Sequence, residues 1–123
     1  MQLNEYQKAA MVTCLPESEN FAYMFLNLAG ELGEFASKVG KLVRKGKLEV
    51  SENELLPVEG GMDMEEWKDA EEGLMLEAGD VLWQLSGLCS VMGWDLETVA
   101  KRNLEKLSSR KARGVVAGEG DYR

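Results

Sequence analysis

Glu31-Leu32-Gly33-Glu34-Phe35 is the stretch on which the fold turns, because Glu77-Ala78-Gly79-Asp80-Val81 repeats its form 46 residues further on: acid, apolar, glycine, acid, apolar. At about 100° per residue on an α-helix, acids three apart lie about 60° from each other and share a face. Around the first copy the apolar residues Phe21, Met24, Phe25, Leu28, Leu32, Phe35, Val39 and Leu42 recur at threes and fours, the signature of an amphipathic helix. Around the second, Leu74, Val81, Leu85, Leu88 and Met92 form a similar stripe. In both copies the acids border the apolar stripe rather than oppose it. Two such helices packed antiparallel bring Glu31, Glu34, Glu77 and Asp80 face to face across the seam.

The remaining elements follow from breakers and caps. Leu3, Tyr6, Gln7, Ala10 and Met11 predict a first helix from Leu3 to about Cys14, ended before Pro16, since proline disfavours a helical residue ahead of it. The second helix runs from Asn20 to about Lys45 and stops at Gly46. Residues 46–63, with Pro57, Gly60 and Gly61, read as a loop holding at most a short helical turn over Ser51 to Leu55. Asp63, with Glu66 three residues on, forms a variant capping box for a third helix that reaches about Met92. Gly93 and Trp94 end it, and Asp95 caps a fourth helix from Leu96 to about Ala112, with Glu97 in its first turn. No useful length alternates with period two, so the fold class is all-α, an antiparallel bundle of four main helices over residues 1–113. The tail, residues 114–123, carries Gly114, Gly118 and Gly120 without a helical period, which implies disorder. Gly33 and Gly79 each cost a helix about 1 kcal/mol against alanine, implying close approach by another element.

At 123 residues the chain is one domain with a real core, small enough that oligomerisation adds to its burial. Its 45% apolar and 29% charged content is that of a soluble globular protein. No apolar run approaches the roughly 20 residues of a membrane span, and Asn4, Glu5, Gln7 and Lys8 interrupt any signal peptide; a cytoplasmic location follows, without a membrane partner. Cys14 and Cys89 sit in apolar helical surroundings, as buried reduced thiols do. A net charge of −8 argues against nucleic acid as a partner. The charge is uneven, however: residues 101–113 hold six bases and one acid, a local +5 that leaves −13 for the rest. That split suits acids holding cations beside a basic segment meeting phosphates.

Acids three apart on a helix are most often solvated surface; the duplicate copy with the same glycine is what raises the metal reading here. Four carboxylates brought together at neutral pH repel strongly, and a cation relieves them. With no histidine in the chain, oxygen-only ligands favour Mg²⁺ or Mn²⁺ over zinc or di-iron chemistry. Lys38, one turn beyond Glu34, either reaches an anion held by the metal or pairs with Glu34. On the fourth helix Asn103, Lys106 and Arg110 fall within about 60° of each other, a compact donor patch for phosphate oxygens. Lys101, Arg102 and Lys111 face solvent. Tyr6, Gln7, Asn27 and Trp83 are weaker candidates for base or sugar contact, since an aromatic on a long helix is more often core.

The residues so assembled resemble the MazG-like nucleoside triphosphate pyrophosphohydrolases, in the all-α superfamily that includes dimeric dUTPases and phosphoribosyl-ATP pyrophosphohydrolase. The similarity lies in Leu28-Ala29-Gly30-Glu31-Leu32-Gly33-Glu34, Glu77-Ala78-Gly79-Asp80-Val81-Leu82-Trp83-Gln84-Leu85, and Asn103-Leu104-Glu105-Lys106-Leu107 with Arg110. The closing Arg113-Gly114-Val115-Val116, with Gly118, Gly120 and Asp121, is similar to the compact forms of phages and bacteria, which would place a phage-encoded chain in the host cytoplasm. The resemblance implies a homodimer or homotetramer, metal bound by Glu31, Glu34, Glu77 and Asp80, and cleavage of a nucleoside triphosphate between its α and β phosphates. It also implies phosphate contacts from Lys38, Asn103, Lys106 and Arg110. The 42 residues between Glu34 and Glu77 exceed the spacing in many relatives, which leaves the path of residues 46–64 open.

The mechanism this implies is attack of a metal-activated water on the α-phosphorus. Glu34, Glu31 and Asp80 are the catalytic candidates, Glu34 as acceptor of the water's proton, while Lys106 and Arg110 stabilise the departing pyrophosphate. Two alternatives stand beside it: a non-catalytic helical regulator whose acids bind a cation to hold a dimer, and a diphosphatase narrow for a deoxyuridine-type nucleotide.

Overall fold

Asn20 accepts a hydrogen bond from the Tyr23 amide at 2.9 Å and so starts the first of the two long central helices, α2 over Phe21–Arg44, preceded by α1 over Leu3–Met11. In the computed structural model, which describes residues 1–122, α3 spans Met64–Val91 and α4 spans Leu96–Ala112. The all-α expectation holds, and the largest interface is that between α2 and α3. Their order is antiparallel: Asn27 bonds Gln84, Lys38 pairs with Glu77, and Lys47 just past α2 pairs with Glu66. Asp63 and Asp95 cap α3 and α4 through the amides of Glu66 and Thr98 at 2.8 and 2.9 Å. The Glu66 carboxylate does not close a capping box; it is drawn off by Lys47 at 3.1 Å.

Two expectations about local structure are corrected. Helix α1 stops at Met11, three residues early, and Pro16–Ser18 forms a 3-10 turn. Residues 46–63 hold neither a structureless loop nor a helical turn but an antiparallel hairpin, β1 (Leu48–Val50) against β2 (Leu55–Pro57), with Leu48 opposite Pro57. Leu48 is buried and anchors the hairpin, while the Ser51 amide closes the turn on Glu54 O at 2.9 Å. Three-residue strands lie below the length at which a period of two can be read. Gly61 is required here, because a Cβ on it would stand 2.8 Å from the Gly46 carbonyl oxygen.

Nor are Gly33 and Gly79 points of close approach: a Cβ at either meets nothing within 4 Å. The tight crossing of α2 and α3 lies instead at Gly87, where a Cβ would collide with the fully buried Met24, 2.6 Å from its Cε and closer still to its sulfur. Helix α1 seals the open end of this pair. Gln7 is buried and spends both halves of its amide there, Nε2 donating to Ser90 Oγ and Trp94 O at 3.0 and 2.9 Å and Oε1 accepting from the Leu96 amide at 2.8 Å. The Trp83 indole donates to Ala10 O and Thr13 Oγ1 at 3.1 and 2.9 Å.

The apolar stripes are covered only in part. Met24, Leu74, Cys89 and Leu96 are buried, but Phe21, Phe25, Leu32, Leu85 and Met92 are exposed, with the rings of Phe21 and Phe25 stacked 5.5 Å apart. Cys14 is only half-buried, outside α1, and neither cysteine forms a disulfide. The tail is not a structureless strand of chain either: residues 114–122 turn back on α4, with the Val115 amide on Arg110 O at 2.9 Å.

Candidate metal centre

The α2–α3 seam brings three of the four predicted acids together. One carboxylate oxygen from each of Glu31, Glu34 and Glu77 lies within 4.8 Å of the others, close enough for one ion to bridge all three at ordinary oxygen-ligand distances. Their environments differ: Glu77 is buried, Glu31 half-buried and Glu34 exposed. Asp80 does not join that triad. It is exposed on the flank, one turn of α3 beyond Glu77, near enough for its charge to act on both Glu31 and Tyr6.

Desolvation, then the charges of Glu34 and Asp80, push the Glu31 carboxyl above its ordinary range, partly offset by a hydrogen bond from Asn27. A site that raises a carboxyl in this way is short of positive charge. Lys38 supplies some: its Nζ stands 2.7 Å from Glu77 Oε1 across the seam. Its partner is therefore Glu77 across the seam and not Glu34 on its own helix. The other Glu77 oxygen, Oε2, is buried with no hydrogen-bond partner. An orphaned carboxylate oxygen inside an acid triad fits a cation as its missing partner, since a buried charged oxygen left unpaired costs several kcal/mol.

Behind the acids stands a layer made of Asn27, expected at the base or sugar, and Gln84, to which the sequence assigned no role. Asn27 Nδ2 donates to Glu31 Oε1 at 3.2 Å and to Gln84 Oε1 at 2.9 Å, and Gln84 Nε2 reaches Met24 Sδ at 3.1 Å. Gln84 is 1% exposed. The available signal was a glutamine inside the apolar run Val81 to Leu88, since a buried amide has to be spent on something. Of the four weak candidates for base or sugar contact, Asn27 orients Glu31, Gln7 and Trp83 brace α1, and Tyr6 lies beside Asp80. Burial first, then the Asp80 charge, keeps the Tyr6 phenol protonated well into the alkaline range.

The α4 donors sit elsewhere. Asn103 and Lys106 line a cleft of about 540 Å³ together with Trp94, Val99 and Arg102, and Lys106 and Arg110 share a face, as the spacing predicts. Among the described residues no hydrogen bond or ion pair joins this patch to the triad, and α4 leans chiefly on α1. Beyond Lys38, the α2–α3 seam opens into a second cleft of about 300 Å³ lined by Lys41, Lys45, Asp69 and Leu74.

Residues 19–115, which contain the triad, Asp80 and the whole α4 patch, match the model of the MazG nucleotide pyrophosphohydrolase domain. The chain is also 35% identical over 130 aligned residues to the Gene 37 protein of Mycobacterium phage L5, with all of each chain covered. No solved structure matches it. On the domain match, which takes in the acids and their supporting helices together, this chain belongs to the MazG nucleotide pyrophosphohydrolase family.

Proposed function

We propose that the protein hydrolyses nucleoside or deoxynucleoside triphosphates to the monophosphate and pyrophosphate, with Mg²⁺ as the working ion and Mn²⁺ as a substitute. The observation that carries the reading is the triad of Glu31, Glu34 and Glu77 with its unpartnered buried oxygen. Those three side chains would hold the ion, with Asp80 closing the shell from the next turn of α3. When bound, the ion supplies neutralisation of phosphate charge and a lowered pKa for water.

The side chains divide the rest of the work. Glu34, the exposed acid of the triad, accepts the proton of the attacking water. Glu31 is kept from rotating by Asn27, itself locked by Gln84. Lys38 is half-exposed on a flexible stem, so it can exchange its carboxylate partner for an α-phosphate oxygen once an ion satisfies Glu77. Lys41 and Lys45 extend the positive field along the same seam. No covalent intermediate is needed.

The exposed apolar faces of α2 and α3 are covered by a second copy of the chain, because Phe21, Phe25, Leu32 and Leu85 continue the buried stripes rather than scatter singly. In that homodimer, or a tetramer of two such pairs, α4 of one protomer brings Asn103, Lys106 and Arg110 to the polyphosphate held by the other. The protein works in the cytoplasm, the host's if phage-encoded, where nucleotides and magnesium are abundant. A panel of nucleotides with magnesium and pyrophosphate detection tests the reading. Glu34→Gln and Asp80→Asn should each abolish release with the helical circular dichroism intact, whereas retained turnover in either would refute its role.

A further inference from the structure

Arg110 is the most deeply buried cation of the chain among the described residues, its side chain 6% exposed. Yet its partner, Asp121, is 74% exposed and lies on the glycine-rich tail. A single oxygen, Asp121 Oδ1, accepts from both Arg110 Nη2 and Lys106 Nζ, each at 3.1 Å, and Arg110 Nη2 also reaches Gly120 O at 3.0 Å. The Nε of Arg110 is buried and has no acceptor. The guanidinium is thus held inside the protein by a ligand that does not use all its donors and that water can reach from one side.

Two prefixed, buried or half-buried donors converging on one anionic oxygen form an oxyanion site, and a carboxylate is a poor filler for it. A phosphate group offers three acceptor oxygens and up to two charges, enough to engage Lys106 and both the Nη2 and the idle Nε of Arg110. The tail is built to let go. Gly114 and Gly120, at φ +70° and +80°, form its two bends, and the residues between them are mostly exposed.

We propose that Asp121 is a built-in competitor for polyphosphate: the tail carboxylate occupies the Lys106–Arg110 site until a substrate or pyrophosphate group displaces it. This rests on the reading of α4 as phosphate-facing given above. The tail then reports occupancy, docked on α4 without ligand and released with it. Asp121 is held ionised by these contacts, its carboxyl lowered below the usual range first by the Lys106 hydrogen bond and then by that of Arg110. The competitor is therefore charged at neutral pH.

The test is calorimetric titration of the full chain with inorganic pyrophosphate without magnesium, comparing wild type, Asp121→Asn and Glu119→Gln. The second variant removes the same charge two residues away, where among the described residues no hydrogen bond or ion pair joins the side chain to α4. Removing a partly exposed ion pair should tighten pyrophosphate binding by about threefold to tenfold in Asp121→Asn, with Glu119→Gln within about twofold of wild type. Pyrophosphate should also accelerate amide exchange over residues 114–122 in the wild type. Equal or weaker binding by Asp121→Asn, tightening by Glu119→Gln to the same extent, or an unchanged tail would each overturn the proposal. Nucleotide turnover measured on the same preparation separates the two readings. Turnover without pyrophosphate competition removes the tail's role alone, and competition without turnover removes the hydrolase and leaves the anion site.

Discussion

Replacing Glu77 by glutamine changes the acid triad by one charge and almost no volume, and the structure predicts opposite consequences with and without a divalent ion. Each pair of ionised carboxylates in the triad, at up to 4.8 Å, repels by about 3 kcal/mol at an effective dielectric near 20. Glu77→Gln removes two such repulsions. Against this stands the 2.7 Å pair with Lys38, whose attraction is larger pair for pair but discounted because the lysine is half-exposed and screened. The amide can still accept from Lys38 through its oxygen. The metal-free variant should therefore be as stable as wild type or up to about 1 kcal/mol more stable. With magnesium the order reverses. A ligand at a hundredfold its dissociation constant stabilises the folded state by about 2.7 kcal/mol, which for a chain of this size raises the melting temperature by roughly 10 °C. The variant should lose most of that rise. Thermal melts of both proteins with EDTA and with millimolar magnesium provide the assay. A metal-free variant destabilised by more than about 2 kcal/mol, or one that keeps the full magnesium-induced rise, would refute the electrostatic account of the triad.

Other predictions bear on the scaffold and on pH. Gln7→Ala strips partners from the Leu96 amide and the Trp94 carbonyl at once and should cost about 2–4 kcal/mol in urea unfolding. Gly87→Ala forces Met24 from its place against α3 and should destabilise by about 1–3 kcal/mol despite the better helix former, whereas Gly79→Ala should be neutral or stabilising. Because the Glu31 carboxyl is raised above its unfolded value near 4.5, its contribution to stability is full below that value. It is lost as pH climbs through the raised one. The stability difference between Glu31→Gln and wild type, both metal-free, should accordingly grow in the variant's favour between pH 4.5 and pH 7, and a flat difference would contradict it.

What could be read in advance, and what could not, divides along physical lines. Helices α2 and α3 were legible because their apolar periodicity runs for about five turns or more, and the duplicated acids were legible because each borders its stripe. The caps at Asp63 and Asp95 are local chemistry and were legible for that reason. The hairpin was not, since Leu48–Val50 and Leu55–Pro57 are too short to display a period and form because Leu48 finds a buried slot. The displacement of Asp80 from the triad, the Lys38–Glu77 pair and the Asn27–Gln84 support depend on side-chain directions across the seam, which spacing along one helix leaves undetermined. The same limit hid the true close crossing at Gly87, which depends on the partner residue Met24.

The central claim is that Glu31, Glu34 and Glu77 hold a divalent ion for attack of water on the α-phosphorus. Turnover of a deoxynucleoside triphosphate in ¹⁸O-labelled water with magnesium, read by mass spectrometry of both products, tests it most directly. The account predicts one labelled oxygen in the monophosphate, unlabelled pyrophosphate, and no turnover when EDTA replaces magnesium. Label in pyrophosphate or inorganic phosphate, or turnover undiminished by EDTA, would contradict it.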